Sequence, residues 1–153
     1  MISLKRILLA TDFSAHAEVA RRYAEALAQS FGAEVVLCHV LESPDLPSQY
    51  PPTGEGYFPT GFRQTQEAHA RSECERLLAD AVPRARYVLR EGRAFLEIIA
   101  CARDEQADLI VMGTHGRGAI AHLLMGSTAE RVVRQAPCPV LVVREGEHDF
   151  VLP

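Results

Sequence analysis

Residues 108 to 118 read DLIVMGTHGRG, and the chain continues through AIAHLLM (119–125) into GSTAERVV (126–133). A short apolar run, a glycine-rich loop and a helical stripe follow one another without interruption. The run Asp108 to Met112 is apolar on both faces and rich in branched residues, which suits a strand covered on both sides, as in a parallel sheet. Ala129, Val132, Val133 and Ala136 then recur at helical spacing. The unit is a strand, a loop and a crossover helix.

The same unit repeats outward in both directions. Arg6 to Ala10 (RILLA), Glu34 to Leu41 (EVVLCHVL), Arg86 to Leu89 and Pro139 to Val143 (PVLVV) supply four more apolar runs. Between them Ala20, Tyr23, Ala24, Leu27, Ala28 and Phe31 form one stripe, stopped by Gly32. Cys74, Leu77, Leu78 and Ala81 form a second before Pro83, and Phe95, Ile98, Ile99 and Ala102 a third. The order βαβαβαβαβ predicts an α/β fold with right-handed crossovers and helices on both faces of a parallel sheet. One segment breaks the rhythm. Residues 43–61 hold five of the nine prolines together with Tyr50, Tyr57 and Phe58. A loop of that length is an insertion or a lid and partner surface.

Composition narrows the function classes. The 153 residues fit one domain, and 48% hydrophobic content is far from that of a disordered chain. A net charge of −4 argues against a broad nucleic-acid surface. No apolar run approaches the roughly 20 residues of a membrane span, and the start lacks a secretory pattern. Cys38, Cys74, Cys101 and Cys138 are dispersed without a CxxC pair, as expected of reduced thiols in a cytoplasmic protein.

The loop after the fourth run carries the chemistry. Glycines let main-chain N–H groups approach an anion, and the loop delivers the chain to a helix N-terminus, where unpaired amides favour negative charge. Ser127 and Thr128 add hydroxyls there, so phosphate is the anion that fits. Ser127-Thr128-Ala129-Glu130 also reads as a capping box, which gives Ser127 a local role as helix cap. A phosphate-binding P-loop is excluded, since no Gly-Lys-Ser/Thr occurs, and GxGxxG is absent because Gly113, Gly116 and Gly118 give GxxGxG. In doubly wound sheets a ligand sits beyond the carboxyl ends of the strands where their order reverses. The first run ends in Ala10-Thr11-Asp12. Asp12 could accept from a ribose hydroxyl or hold a Mg²⁺ that bridges phosphates, or it could serve only the dipole of a helix capped by Ser14. Val40 could pack against a base. His115 and Arg117 could reach phosphate oxygens. His115 and His122 lack the neighbours a metal site needs.

The spacing Gly113-x2-Gly116-x9-Gly126-Ser127 resembles the nucleotide-binding signature of the universal stress protein family, the UspA-like domain. The likeness extends to Thr11-Asp12-x-Ser14, DLIVMGTHGRG, GSTAERVV and the closing PCPVLVV run. It implies a Rossmann-like, adenine nucleotide alpha hydrolase-like domain with five parallel strands in order 3-2-1-4-5. That domain would span residues 1–146, with the Pro-rich insertion at 43–61 and a tail at 147–153. The resemblance further implies ATP as ligand, with Mg²⁺. Ala10, Thr11 and Asp12 would line the adenosine end, and Val40 would meet adenine through its main chain. Met112, Gly113, His115 and Gly116 would flank ribose and phosphates, with Arg117 close by. Gly126, Ser127 and Thr128 would hold the phosphate groups. Members lacking the glycine pattern look unable to bind ATP, and this chain keeps it. Ala10 departs mildly from the Pro or Val often found there.

Family members typically pair through the last strand, and Val140, Leu141, Val142 and Val143 would form an apolar edge open to a second copy. The resemblance leaves two activities: a nucleotide-dependent regulatory module in the stress response, and a slow ATPase or self-phosphorylating enzyme. The motif offers no P-loop lysine and no evident carboxylate base, which favours the module.

Overall fold

The computed structural model describes residues 2–42, 61–79, 84–114 and 125–144. In chain order the elements are β1 (Arg6–Ala10), α1 (Ala15–Phe31), β2 (Glu34–Leu41), α2 (Phe62–Ala79), β3 (Ala85–Glu91), α3 (Ala94–Asp104), β4 (Leu109–Gly113), α4 (Ser127–Gln135) and β5 (Val140–Val143). The five strands form one sheet of order β3-β2-β1-β4-β5, with every pairing parallel. This is the expected 3-2-1-4-5 arrangement. The order reverses between β1 and β4, which opens the crevice at their carboxyl ends.

The strand interiors separate into two packed layers because alternate residues face opposite sides. Ile7, Leu9, Val35, Leu37 and Val111 pack with the Ala20–Ala24–Ala28 stripe of α1 and with Cys74 and Leu77 of α2. Leu8, Ala10, Val36, Cys38, Ile110 and Met112 pack with Ile98, Cys101 and Ala102 of α3 and Ala129 and Val132 of α4. α1 begins where Ser14 accepts the Ala17 N–H, and it stops at Gly32, whose φ of 66° is the left-handed form glycine tolerates.

Some local expectations needed adjustment. Phe31 is 46% exposed, since the chain leaves α1 at Gly32 before its last turn is covered, and Val133 is 47% exposed. Val133 follows the fully buried Val132, so it lies about 100° further round the helix. α2 begins twelve residues before the stripe that announced it, at Phe62, where Thr65 N–H and Oγ1 both bond the Gly61 carbonyl. Its exposed face is polar and carries the Glu67–Arg71 and Glu73–Arg76 pairs, which apolar periodicity does not register. Ala81 lies outside the described residues, as does nearly all of the Pro-rich insertion.

A charged brace ties together the amino ends of the strands. Asp108 accepts the main-chain N–H groups of Lys5 at 2.7 Å and Arg6 at 2.9 Å. Glu34 takes Arg6 at 3.0 Å and Arg86 at 2.8 Å, and Arg86 also pairs with Glu105. This brace lies at the opposite end of the sheet from the crevice. No helix among the described residues is long and apolar enough to cross a membrane.

Candidate functional site

Three segments converge at the carboxyl ends of β1 and β4. The first is the turn from β1 into α1. Thr11 N–H donates to the Cys38 carbonyl at 2.9 Å, which ties the turn to β2. Thr11 Oγ1 then accepts Phe13 N–H at 3.1 Å, and Asp12 Oδ1 accepts Ser14 N–H at 3.0 Å. These two side-chain turns carry Phe13 into the left-handed region, at φ 63°. A phenylalanine there is strained by roughly 1 kcal/mol and is held by its surroundings. The holding contact is His39, whose ring stacks on Phe13 with centroids 4.2 Å apart. His39 Nδ1 lies 2.8 Å from the Thr11 carbonyl oxygen. A carbonyl only accepts, so Nδ1 carries the proton.

The second segment is the end of β4. Leu9 pairs with Val111, so two residues on Thr11 comes level with Gly113. Thr114 is buried, and its N–H donates to Val143 O at 2.9 Å. The third segment is the start of α4. Gly126 N–H donates to the Thr114 carbonyl at 2.7 Å, which ties the helix entrance to the end of β4.

The expected capping role of Ser127 is corrected here. The N-cap is Gly126, in extended conformation at φ −72° and ψ 156°, with no side-chain cap hydrogen bond. Glu130 N–H already bonds the Gly126 carbonyl at 3.0 Å, which makes Ser127 the first helical residue. The N-cap residue of α4 therefore supplies no side chain to the first amides of the helix.

The structure places nine of the twelve residues named from sequence. Ala10, Met112 and Val40 pack on the same side of the sheet as α3 and α4. Ala10 pairs with Cys38, so Val40 comes level with Asp12 on the neighbouring strand. Gly113 ends β4, and Gly126, Ser127 and Thr128 open α4. These residues therefore stand at the carboxyl ends of β1, β2 and β4 and at the start of α4, with Thr11 and Asp12 in the turn after β1. His115, Gly116 and Arg117 lie outside the described residues. A cavity of about 220 Å³ lies elsewhere, between α1 and α2 over Leu9, Leu37 and Leu77, and takes only Thr11 from the named set. Sequence reading missed Phe13 and treated His39 only as a strand residue. A left-handed phenylalanine leaves no compositional mark, and the stack joins residues far apart in the chain.

As a cation site the crevice offers the Asp12 carboxylate, and no cluster of three metal-binding side chains occurs among the described residues. That donor set fits Mg²⁺ carried in on phosphates, which usually keeps its waters and one or two protein carboxylates.

The universal stress protein family model matches residues 3–144. A universal stress protein of Thermus aquaticus is 41% identical over 141 residues, covering 92% of this chain and 98% of that protein. A universal stress protein of Methanocaldococcus jannaschii is 30% identical over 156 residues, covering 94% of this chain and 96% of its own. A solved structure at 29% identity superposes with a TM-score of 0.81, covering 96% of this chain and all of that one. UspA from Lactobacillus plantarum shares the fold with a TM-score of 0.72 at 24% identity, over 94% of this chain and 100% of that one.

Proposed function

The chain belongs to the universal stress protein family, and on that premise we propose that it is an adenine-nucleotide-binding regulatory module that takes ATP in the crevice between β1 and β4. The observation that carries this reading is the tie between Gly126 N–H and the Thr114 carbonyl, at 2.7 Å. It sets a helix N-terminus whose cap residue is glycine beside the strand end where the sheet order reverses, and that position attracts phosphate. Asp12 would take a ribose hydroxyl or a phosphate-borne Mg²⁺. The Ser127 and Thr128 hydroxyls would reinforce the amides. Ala10, Val40 and Met112 form an apolar wall suited to a base, and His115, Gly116 and Arg117 belong to the same proposed set. Structures of the same fold at 22% and 20% identity hold cAMP and dAMP, the latter from Archaeoglobus fulgidus. At that distance they show the fold alone.

The proposed set offers amides, hydroxyls, the Asp12 carboxylate, His115 and Arg117 but no P-loop lysine and no evident base for an attacking water, which suits occupancy better than turnover. The active unit of the proposal is a homodimer joined through β5, an edge strand in the sheet order. Thermal denaturation with MgATP tests the nucleotide. A ligand at 100 times its dissociation constant adds about 2.7 kcal/mol to stability. Wild type is expected to shift and Gly126→Val to lose the shift. An absent shift, or an equal one in the variant, overturns the reading.

A further inference from the structure

The cavity between α1 and α2 lies on the opposite face of the sheet from α3 and α4. Its apolar lining comes from Leu9 of β1 and Leu37 of β2, which pair across the two strands, and from Leu77 of α2. Phe13 lines it as well, and its ring is fixed by the stack on His39 with centroids 4.2 Å apart. Aliphatic side chains and one fixed aromatic ring suit a ligand with an aromatic body.

The same cavity has a charged side. Glu18, Arg21 and Arg76 line it, two cations against one carboxylate. The Glu18 carboxylate is engaged by Arg21 through hydrogen bonds of 2.9 and 2.6 Å. Arg76 gives Nε and Nη2 to Glu73, at 3.3 and 2.9 Å, and its Nη1 makes no hydrogen bond among the described residues. Ser14 and Ala15 bring the start of α1 into the lining, where the helix dipole adds positive potential. The surplus charge and the spare donor both favour an anion.

Size decides the rest. The volume is about 220 Å³. An apolar cavity of about 150 Å³ takes benzene, so the space here holds one ring and a small substituent. It is below the roughly 300 Å³ at which pockets for drug-sized ligands begin, so a nucleotide does not fit.

We propose that this cavity is a second ligand site, which takes a small aromatic monocarboxylate with its ring over Leu9, Leu37 and Leu77 and its carboxylate on Arg76. Thr11 and Phe13 line the cavity and Asp12 lies between them in the chain, so the ligand packs against the turn that holds Asp12. Binding in the cavity is independent of whether nucleotide occupies the crevice.

Benzoate is the probe, and benzyl alcohol is its uncharged counterpart of the same size. Each is titrated into full-length protein without nucleotide and followed by amide NMR. Benzoate is expected to move the Phe13, Ser14 and Glu18 resonances with a dissociation constant of about 1 mM or below. Benzyl alcohol should bind at least about threefold more weakly, since it lacks the partner for Arg76. Arg76→Gln, on an exposed side chain, should weaken benzoate by the same factor and leave benzyl alcohol unchanged. Leu77→Trp, which fills the cavity from α2, should abolish both, and Arg76→Gln carries the test alone if that core variant fails to fold. Three results overturn the proposal: benzoate shifts at Gly126 to Thr128 instead of Phe13 to Glu18 or no shifts at all, benzyl alcohol binding as tightly as benzoate, or full benzoate affinity in Arg76→Gln.

Discussion

A Cβ added to Gly113 would stand 2.9 Å from the main-chain carbonyl oxygen of His16 and 3.1 Å from the His16 Cβ. The last residue of β4 is glycine because the first turn of α1 lies directly over it. Gly113 is not among the glycines with positive φ, so space is what it provides. Ala17, Ala20, Ala24 and Ala28, all buried, present the small face that lets α1 come so close. The sequence suggests a glycine that makes room for phosphate; the structure shows one that makes room for a helix.

Gly113→Ala should therefore destabilise the protein by about 1–3 kcal/mol through overpacking. Urea denaturation reads this directly. An unchanged midpoint would mean that α1 slides aside at no cost.

His39→Leu should loosen the turn from Thr11 to Ser14. The Thr11 carbonyl loses its 2.8 Å partner and Phe13 loses the polar ring it stacks on. A loss of about 1–3 kcal/mol is expected for the unmet acceptor. Weaker MgATP binding in calorimetry should accompany it, because Asp12 sits in the same turn. Full affinity in a destabilised variant would separate the stack from the site.

The homodimer has a main-chain test. Ile110 N–H bonds the Pro139 carbonyl and Thr114 N–H bonds the Val143 carbonyl, so residues 139 and 143 turn toward β4. In a parallel ladder the intervening Val140 and Val142 then direct their peptide groups to the open edge. Val142→Pro removes one outward N–H without touching the β4 ladder, a substitution edge strands tolerate. Sedimentation should show a dimer for wild type and a folded monomer for the variant. A dimeric variant would place the interface elsewhere.

Acid should weaken the brace at the amino ends of the strands. The N–H groups of Lys5 and Arg6 hold the Asp108 carboxyl below its ordinary range, and Arg86 does the same for Glu105. Carboxyls depressed in the folded state stabilise above their unfolded values, and that contribution fades as pH falls through the folded ones. Asp108→Asn should thus be less stable than wild type at neutral pH, with the gap closing below about pH 4. A gap that stays constant with pH would assign the loss to shape rather than charge.

Much of the fold is readable in the sequence. The apolar runs RILLA, EVVLCHVL and DLIVM correspond to β1, β2 and β4 within a residue, because a strand buried on both faces must be apolar throughout. Ser14 and Gly32 marked the ends of α1 because caps act through neighbours in the chain. α2 was half visible, since its polar turns from Phe62 onward carry no apolar stripe. The positions of Asp12 after β1, Val40 near the end of β2 and Gly126 before α4 were legible from the order of the runs, whereas the contact between Phe13 and His39 was not.

By itself, then, the sequence determined the alternation of strands and helices, their caps and the glycine spacing that marks the crevice. All of these depend on periodicity or on contacts a few residues apart. The tertiary structure decided what depends on elements meeting side by side. It made Gly113 a seat for α1, moved the cap of α4 from Ser127 to Gly126 and propped a strained Phe13 on His39. The physical reason is that strand pairing and helix packing join residues distant in the chain, whose chemistry is set by neighbours that local patterns do not name.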